Sequence, residues 1–306
     1  MSTSPAILRG ATLAALILVG GLAAGGRGAL ASPDDVIGAP RVYRALATMG
    51  LLDVARANGL GYVETVAANP GIDPRPDGTS RTVALPTQHV LPDAPRRGIV
   101  VNLPEMRLYY FPPSGPVRSF PIGVGKVGKE TPSGRTQITR KAAYPVWVPT
   151  QSERAEDRTL PARVGPGPAN QLGDRALYLG WDEYAIHGTN NSDSIGRHDS
   201  HGCIKLYPDD IATLFEIIPV GTPVLVVNQP VKVGWLADEL YLQVHPDLAD
   251  ADAIAANGRT ATATAVDADG MIVRAAGKDA SRLDWTAIHR AEQERSGLAT
   301  RVTKTQ

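Results

Sequence analysis

The 306-residue sequence predicts an α+β fold in which a mainly-β domain with one packed helix follows a small strand-helix-helix-strand (βααβ) module. Three observations predict it. Apolar residues recur at helical spacing in two short runs before residue 70, the period changes to that of β-strands over 96–111, and Pro208-Asp209-Asp210 opens a further helix. With 43% hydrophobic and 20% charged residues the chain can bury a core of this size. Lys+Arg and Asp+Glu both number 31, so no basic field gathers nucleic acid, and no nucleic-acid partner is expected.

Residues 1–31 carry Arg9, a short apolar run interrupted by Gly20 and Gly21, and an Ala29-Leu30-Ala31 end. That is the pattern of a cleaved signal peptide, too short and broken for a spanning helix. No integral membrane segment is expected in the mature chain, and the location is expected to be the periplasm. The sole cysteine, Cys203, lies far from the cleavage point, which excludes lipid attachment there. An exported chain with one thiol forms no internal disulfide, so Cys203 is inert, paired with another molecule, or chemically employed.

Residues 36–88 form the small module. Leu51, Leu52, Val54 and Ala55 sit on one helix that stops at Gly59-Leu60-Gly61, and Val63, Val66 and Ala67 on a second that stops at Asn69-Pro70-Gly71. Val83 and Leu85 read as the strand that leaves it. A unit this small leans on its neighbour for stability. The β-domain is expected over 97–228. Ile99 to Leu103 and Leu108 to Phe111 flank a hairpin turn, further strands fall near 117–124, 136–140, 176–179 and 184–186, and 224–227 follows a helix through Ile211. Residues 229–306 are an extension to which the sequence assigns no chemistry, with strands near 231–245, an Ala/Asp/Thr-rich linker over 249–269 and a polar helix near 281–295.

The chemistry concentrates in His187-Gly188-Thr189-Asn190, Ile195-Gly196 and Ser200-His201-Gly202-Cys203-Ile204-Lys205-Leu206. A thiol attacks a carbonyl carbon only when its proton is removed, so an imidazole is the expected partner. Two histidines compete for that role. His201, two residues before Cys203, shares its face on an extended strand, whereas His187 ends a separate strand and approaches across the sheet. Gly202 permits close backbone approach, so N–H groups of Gly202 and Cys203 can aim at an oxyanion. His187, His201 and Cys203 would also make three zinc ligands, yet no C-x-x-C or H-E-x-x-H spacing is present, and neither metal nor cofactor is expected. His89, His198, His245 and His289 read as solvated loop residues.

This constellation resembles the signature of the L,D-transpeptidase (YkuD-type) catalytic domain. The likeness extends to Gly125-Lys126, Thr131-Pro132-Ser133-Gly134, Pro145-Val146-Trp147-Val148-Pro149 and Gly167-Pro168-Ala169-Asn170-Gln171-Leu172-Gly173. The resemblance implies that Cys203 is acylated by the diaminopimelyl residue of a peptidoglycan tetrapeptide with loss of D-alanine. It implies His187 as acid/base and the Gly188 carbonyl as the group orienting it, in line with the reading of the residues that favours His187 as base and leaves His201 a structural or oxyanion-side residue beside Gly202. Ser200, Lys205 and Thr189 are expected to bind substrate; Lys205 stands where the family usually has Arg or Asn, which removes bidentate carboxylate binding. The acceptor it implies is a second stem peptide, a lipoprotein lysine or a D-amino acid, the competing outcomes being hydrolysis of the same linkage or non-catalytic wall binding. Residues 36–88 are similar to a LysM domain, a binder of N-acetylglucosamine glycans, with its opening strand and turn degraded at Arg44 to Gly50.

Overall fold

The computed structural model describes residues 34–259 and 266–304. The expected signal peptide and the centre of the expected linker, residues 260–265, lie outside the described residues. Asp34–Gln306 is a single compact unit. Among the described residues no helix is long and apolar enough to cross a membrane.

The N-terminal part runs β1 (Val36–Gly38), β2 (Arg41–Ala45), α1 (Leu51–Ala57), α2 (Tyr62–Ala67), β3 (Arg81–Leu85) and β4 (Gln88–Val90). β2 pairs antiparallel with β3 around the two helices, which gives the βααβ order, while β1 pairs with β4 outside it. Both helices open on glycine, and the acid three residues on, Asp53 or Glu64, accepts the glycine N–H.

The β-domain follows as β5 (Gly98–Asn102), β6 (Arg107–Phe111), β7 (Arg118–Pro121), β8 (Val124–Gly125), β9 (Gly134–Ala143), α3 (Gln151–Glu156), β10 (Arg175–Leu179), β11 (Ala185–His187), β12 (His198–Ser200), β13 (Ile204–Lys205), α4 (Pro208–Ile217) and β14 (Pro223–Val227). Eight of these strands form one sheet in the order β13-β11-β10-β9-β14-β5-β6-β7, and β12 pairs with β8 beside it. The hairpin expected around 104–107 is β5–β6. α4 begins on Pro208 with Asp209 and Asp210 in its first turn and buries Ile211 and Leu214.

The extension is more ordered than its composition suggests. β15 (Val231–Leu236), β16 (Glu239–Val244) and β17 (Thr300–Arg301) form a sheet, with α5 (Leu248–Asn257), α6 (Asp269–Ala276) and α7 (Trp285–Glu294). The linker expected over 249–269 is therefore corrected. Its first half is helix α5, opened by the Asp247 side chain accepting the Asp250 N–H and closed by Gly258 in the left-handed region. Ala251 and Ile254 on one face are buried in the same core as α2.

Buried ionic groups weld these parts together. Arg107 of β6 holds both carboxylate oxygens of Glu64 in α2, at 2.6 and 2.7 Å, and the Glu64 side chain also accepts the Gly61 N–H. The first N–H groups of α2 are satisfied outside the module, Tyr62 donating to the Ile195 carbonyl and Val63 to that of Gly196, both at 3.2 Å. Gly196 has φ +77, and a Cβ there would meet the Tyr62 nitrogen at 2.3 Å, so the contact requires glycine. On the other side Lys232 of β15 donates to Glu105 in the hairpin turn (2.7 Å), to the Val90 carbonyl and to Tyr109.

Two of the histidines read as solvated, His89 and His245, are buried against Glu105, and His198 is paired with Asp252 at 2.9 Å. Polar loop residues became core because β4 and β16 converge on one carboxylate. His289 is exposed. Burial lowers the His89 and His245 pKa to about 3, from an ordinary 6.5.

Glu64→Gln should cost about 3–5 kcal/mol of unfolding free energy, since it leaves the Arg107 charge buried without its counter-charge. Urea denaturation measures it, and a loss near zero would show that the pair is not buried in solution. His89 and His245 take protons near pH 6.5 when unfolded but near 3 when folded, so their contribution is complete above about pH 6.5 and fades as pH falls toward 3. Denaturation midpoints should fall across that window, less steeply in His89→Gln.

Candidate active site

The site follows from strand alternation. β11 lies between β10, antiparallel, and β13, parallel, with Ile186 opposite Ile204 and His187 opposite Lys205. Residues opposite each other share a face, and faces alternate along a strand. Ile186 and Ile204 are fully buried on the core face. Ala185, His187, Lys205 and, one step before β13, Cys203 therefore share the other face, the floor of a cleft of about 830 Å³. Its walls come from residues 146–153 with Gln171 and Leu172 on one side, and Glu183 and Tyr184 on another. The Gly/Pro-rich stretch before β10 contributes only its end, Gln171 and Leu172, while the wall helix α3 arises earlier.

His187 is 4% exposed and its Nδ1 lies 2.6 Å from the Gly188 carbonyl. A carbonyl only accepts, so Nδ1 carries the ring proton and Nε2 keeps its lone pair. Burial, with the Lys205 charge adding, lowers the imidazole pKa to about 4. Burial also raises that of the half-buried Cys203 thiol to about 11, against a backbone N–H contact from Ala185. Burial therefore favours neutral thiol and neutral imidazole near pH 7.

The turn that presents Cys203 is clamped from within. Ser200 Oγ donates to the Cys203 carbonyl (2.6 Å) and accepts the Gly202 N–H (3.1 Å), and Thr131 Oγ1 donates to the Gly202 carbonyl (2.8 Å). Gly202 has φ +105, and a Cβ there would strike Tyr184 at 2.7 Å. The Gly202 N–H donates to Ser200, leaving the Cys203 N–H of the two groups expected at an oxyanion, and Ser200, which lines the cleft, has its hydroxyl engaged within the turn.

His201 lines the cleft but turns toward α3, with Nε2 2.8 Å from Glu156 and Nδ1 3.8 Å from Glu153. Lys126 reaches the same Glu156 oxygen at 2.8 Å, and Lys126 and His201 together hold that carboxyl down to about 2. Lys205 lines the cleft and pairs with Asp199 at 2.9 Å. Thr189 does not line it; its hydroxyl is engaged by the Asn191 backbone.

Residues 96–226 match the family model of the L,D-transpeptidase catalytic domain (YkuD). The chain is 45% identical over 208 residues to the Probable L,D-transpeptidase ErfK/SrfK of Salmonella typhimurium, covering 66% of this chain and 67% of that protein. This chain belongs to the L,D-transpeptidase family. The Probable L,D-transpeptidase YbiS of Escherichia coli is 43% identical over 201 residues, 63% of this chain and 65% of that one. The Probable L,D-transpeptidase YcfS of the same organism is 41% identical over 190 residues, 59% of each.

Sequence reasoning gives no sign of Arg140, Tyr178, Tyr184 and Glu153, which line the cleft, or of Glu156, which holds His201 beside it. They come from three separate strands or loops and a short exposed helix, and no local spacing marks them.

Alkylation of Cys203 by iodoacetamide should be slow at pH 7 and keep rising toward pH 11, because the raised thiol pKa keeps the thiolate scarce. Intact mass against pH reads it directly, the chain having one thiol. A rate already at its plateau near neutrality would indicate a preformed thiolate–imidazolium pair instead.

Proposed function

We propose that the chain is a cysteine-dependent L,D-transpeptidase of peptidoglycan stem peptides. The Cys203 sulfur attacks the carbonyl carbon of diaminopimelate in a tetrapeptide donor as His187 Nε2 takes the thiol proton. The tetrahedral oxyanion faces the Cys203 N–H. Collapse breaks the bond to D-alanine, whose nitrogen takes the proton from His187, and leaves a thioester on Cys203. An incoming amine then gives its proton to His187, attacks the thioester carbon and releases the thiol. The observation that supports this most is the pairing of β11 with β13, which puts His187 and Cys203 on one face with Nδ1 tied to Gly188 and Nε2 unprotonated.

In this reading His201 is a positioning residue that fastens α3 to the nucleophile turn, and Lys205, with its charge already shared by Asp199, is a secondary substrate contact. Thr189 shapes the loop after His187. No metal or cofactor takes part. The acceptor is a stem-peptide amine, a lipoprotein lysine or a D-amino acid. Residues 36–88 are read as a LysM-like module on the strength of the β2-α1-α2-β3 order, and residues 1–31 as the export signal that delivers the enzyme to the periplasm.

Cys203→Ala should form no acyl adduct with a tetrapeptide donor or a carbapenem, and His187→Ala should slow acylation by about 10²–10⁴. Intact-protein mass spectrometry reads both; loss of acylation in His201→Ala with retention in His187→Ala would reverse the assignment of the base. Chelators should leave the rate unchanged. With donor and a D-amino acid together, exchange should dominate over tripeptide, because the walls around the thioester restrict water while an amine is delivered to it. Tripeptide undiminished by rising amine concentration would make the enzyme a carboxypeptidase. Co-sedimentation of the full-length Cys203→Ala variant with insoluble peptidoglycan, competed by soluble N-acetylglucosamine oligomers, tests the LysM-like reading.

A further inference from the structure

We propose that Arg140 binds a carboxylate of the donor stem peptide remote from the scissile bond, and that it thereby selects donors charged at that point. The inference rests on the L,D-transpeptidase reading and adds to it the group that reads one end of the substrate.

A row of residues crosses the sheet from the Cys203 turn. Arg140 of β9 is directly opposite Tyr178 of β10, and Tyr178 is directly opposite Ala185 of β11. Stepping the β11–β13 register back by one residue sets Ala185 opposite Cys203. The four residues form one rank on one face, and all four line the cleft. The rank leads from the nucleophile outward to Arg140.

The Arg140 guanidinium lies 3.6 Å above the centre of the Tyr178 ring, so it leans along the rank toward Cys203. Stacking on an aromatic face fixes the plane of a guanidinium and leaves its N–H edges directed outward, in the geometry that holds a carboxylate with two parallel bonds. Other cations of the cleft are already engaged: Lys205 with Asp199, Lys129 with Glu156, and His201 with Glu153 and Glu156. Arg140 is exposed, and among the described residues Tyr178 is the partner recorded for its charged end. It is a pre-oriented cation on the floor of the cleft with its donors unspent.

Distance decides which carboxylate it meets. Tyr178 is two strands from Cys203, so the guanidinium above it stands on the order of 10 Å from the Cys203 backbone, at roughly 4.8 Å per strand. The leaving D-alanine carboxylate is within one residue of the acyl carbon, about 3.5 Å of chain, and falls short. The far carboxylate of diaminopimelate, at the end of its side chain, has the reach. The free carboxylate of the preceding D-glutamate offers the same chemistry from the other direction.

The experiment compares three soluble tetrapeptide donors, one with all carboxylates free, one amidated at the far end of diaminopimelate and one amidated at D-glutamate. D-Alanine release is measured with the parent, Arg140→Met and Arg140→Lys. Met keeps an apolar stem over Tyr178 without the charge, and Lys keeps the charge without the fork. The parent should prefer the free donor over one of the amides by about 10–100-fold in kcat/KM, the range of a hydrogen-bonded charge. In Arg140→Met that preference should collapse through KM, and Arg140→Lys should recover part of it. The amide that matters identifies the carboxylate. Equal losses on all three donors would mean that Arg140 only supports the sheet, and no loss on any would mean that it touches no substrate; either result overturns the proposal. A folded parent that releases D-alanine from no donor would overturn the L,D-transpeptidase reading beneath it.

Discussion

Arg107 and Glu64 are both buried, one at the start of β6 and the other in α2, and two such charges are tolerable in a core only in each other's company. The pair therefore fixes where α2 lies on the β-domain. Once α2 is placed, its first two free N–H groups fall on the Ile195 and Gly196 carbonyls, in the loop that leads through β12 to the Cys203 turn. Arg197 lies over the Tyr62 ring at 3.8 Å, and the Tyr207 hydroxyl donates to the Leu60 carbonyl at 2.9 Å, so both flanks of the segment that carries Cys203 touch the N-terminal module. The module is part of the frame of the site.

Glu105 does for the C-terminal extension what Glu64 does for the module. It sits in the β5–β6 turn and gathers Lys232, Tyr109, Asn102 and the two neutral histidines. Burial lowers the Lys232 pKa to about 8, so the lysine keeps its charge largely because Glu105 is beside it. One hairpin, with Glu105 in its turn and Arg107 at the base of its second strand, anchors chain from both ends. A three-part sequence thus closes into one compact unit.

The chemistry of the cleft follows from the same economy of burial. One sheet has a core face of Ile138, Leu177, Ile186 and Ile204 and an opposite face that carries Arg140, Tyr178, His187 and Cys203. Burial favours the neutral form of both His187 and Cys203, as the proposed proton transfer during attack requires. The hydrogen bonds at Ser200, Gly202 and Thr131 clamp the turn that carries Cys203.

The sequence by itself determined the elements whose cause is local. The hairpin at 104–107, the helix opened by Pro208, the two short helices of the module and the density of chemistry in 187–206 were legible because turn residues, capping residues and period are properties of neighbouring positions. His187 and Cys203 stood out for the same reason, as a lone thiol with two histidines nearby. It misjudged what depends on distant partners. α5 looked like a linker because Ala and Asp reveal nothing until Ala251 and Ile254 meet α2, and His89 and His245 looked solvated until Glu105 came between them. Arg140 had no signal at all. Its place beside Tyr178, Ala185 and Cys203 is set by the register of three strand pairings, and register is fixed only when the buried faces of all four strands find one core.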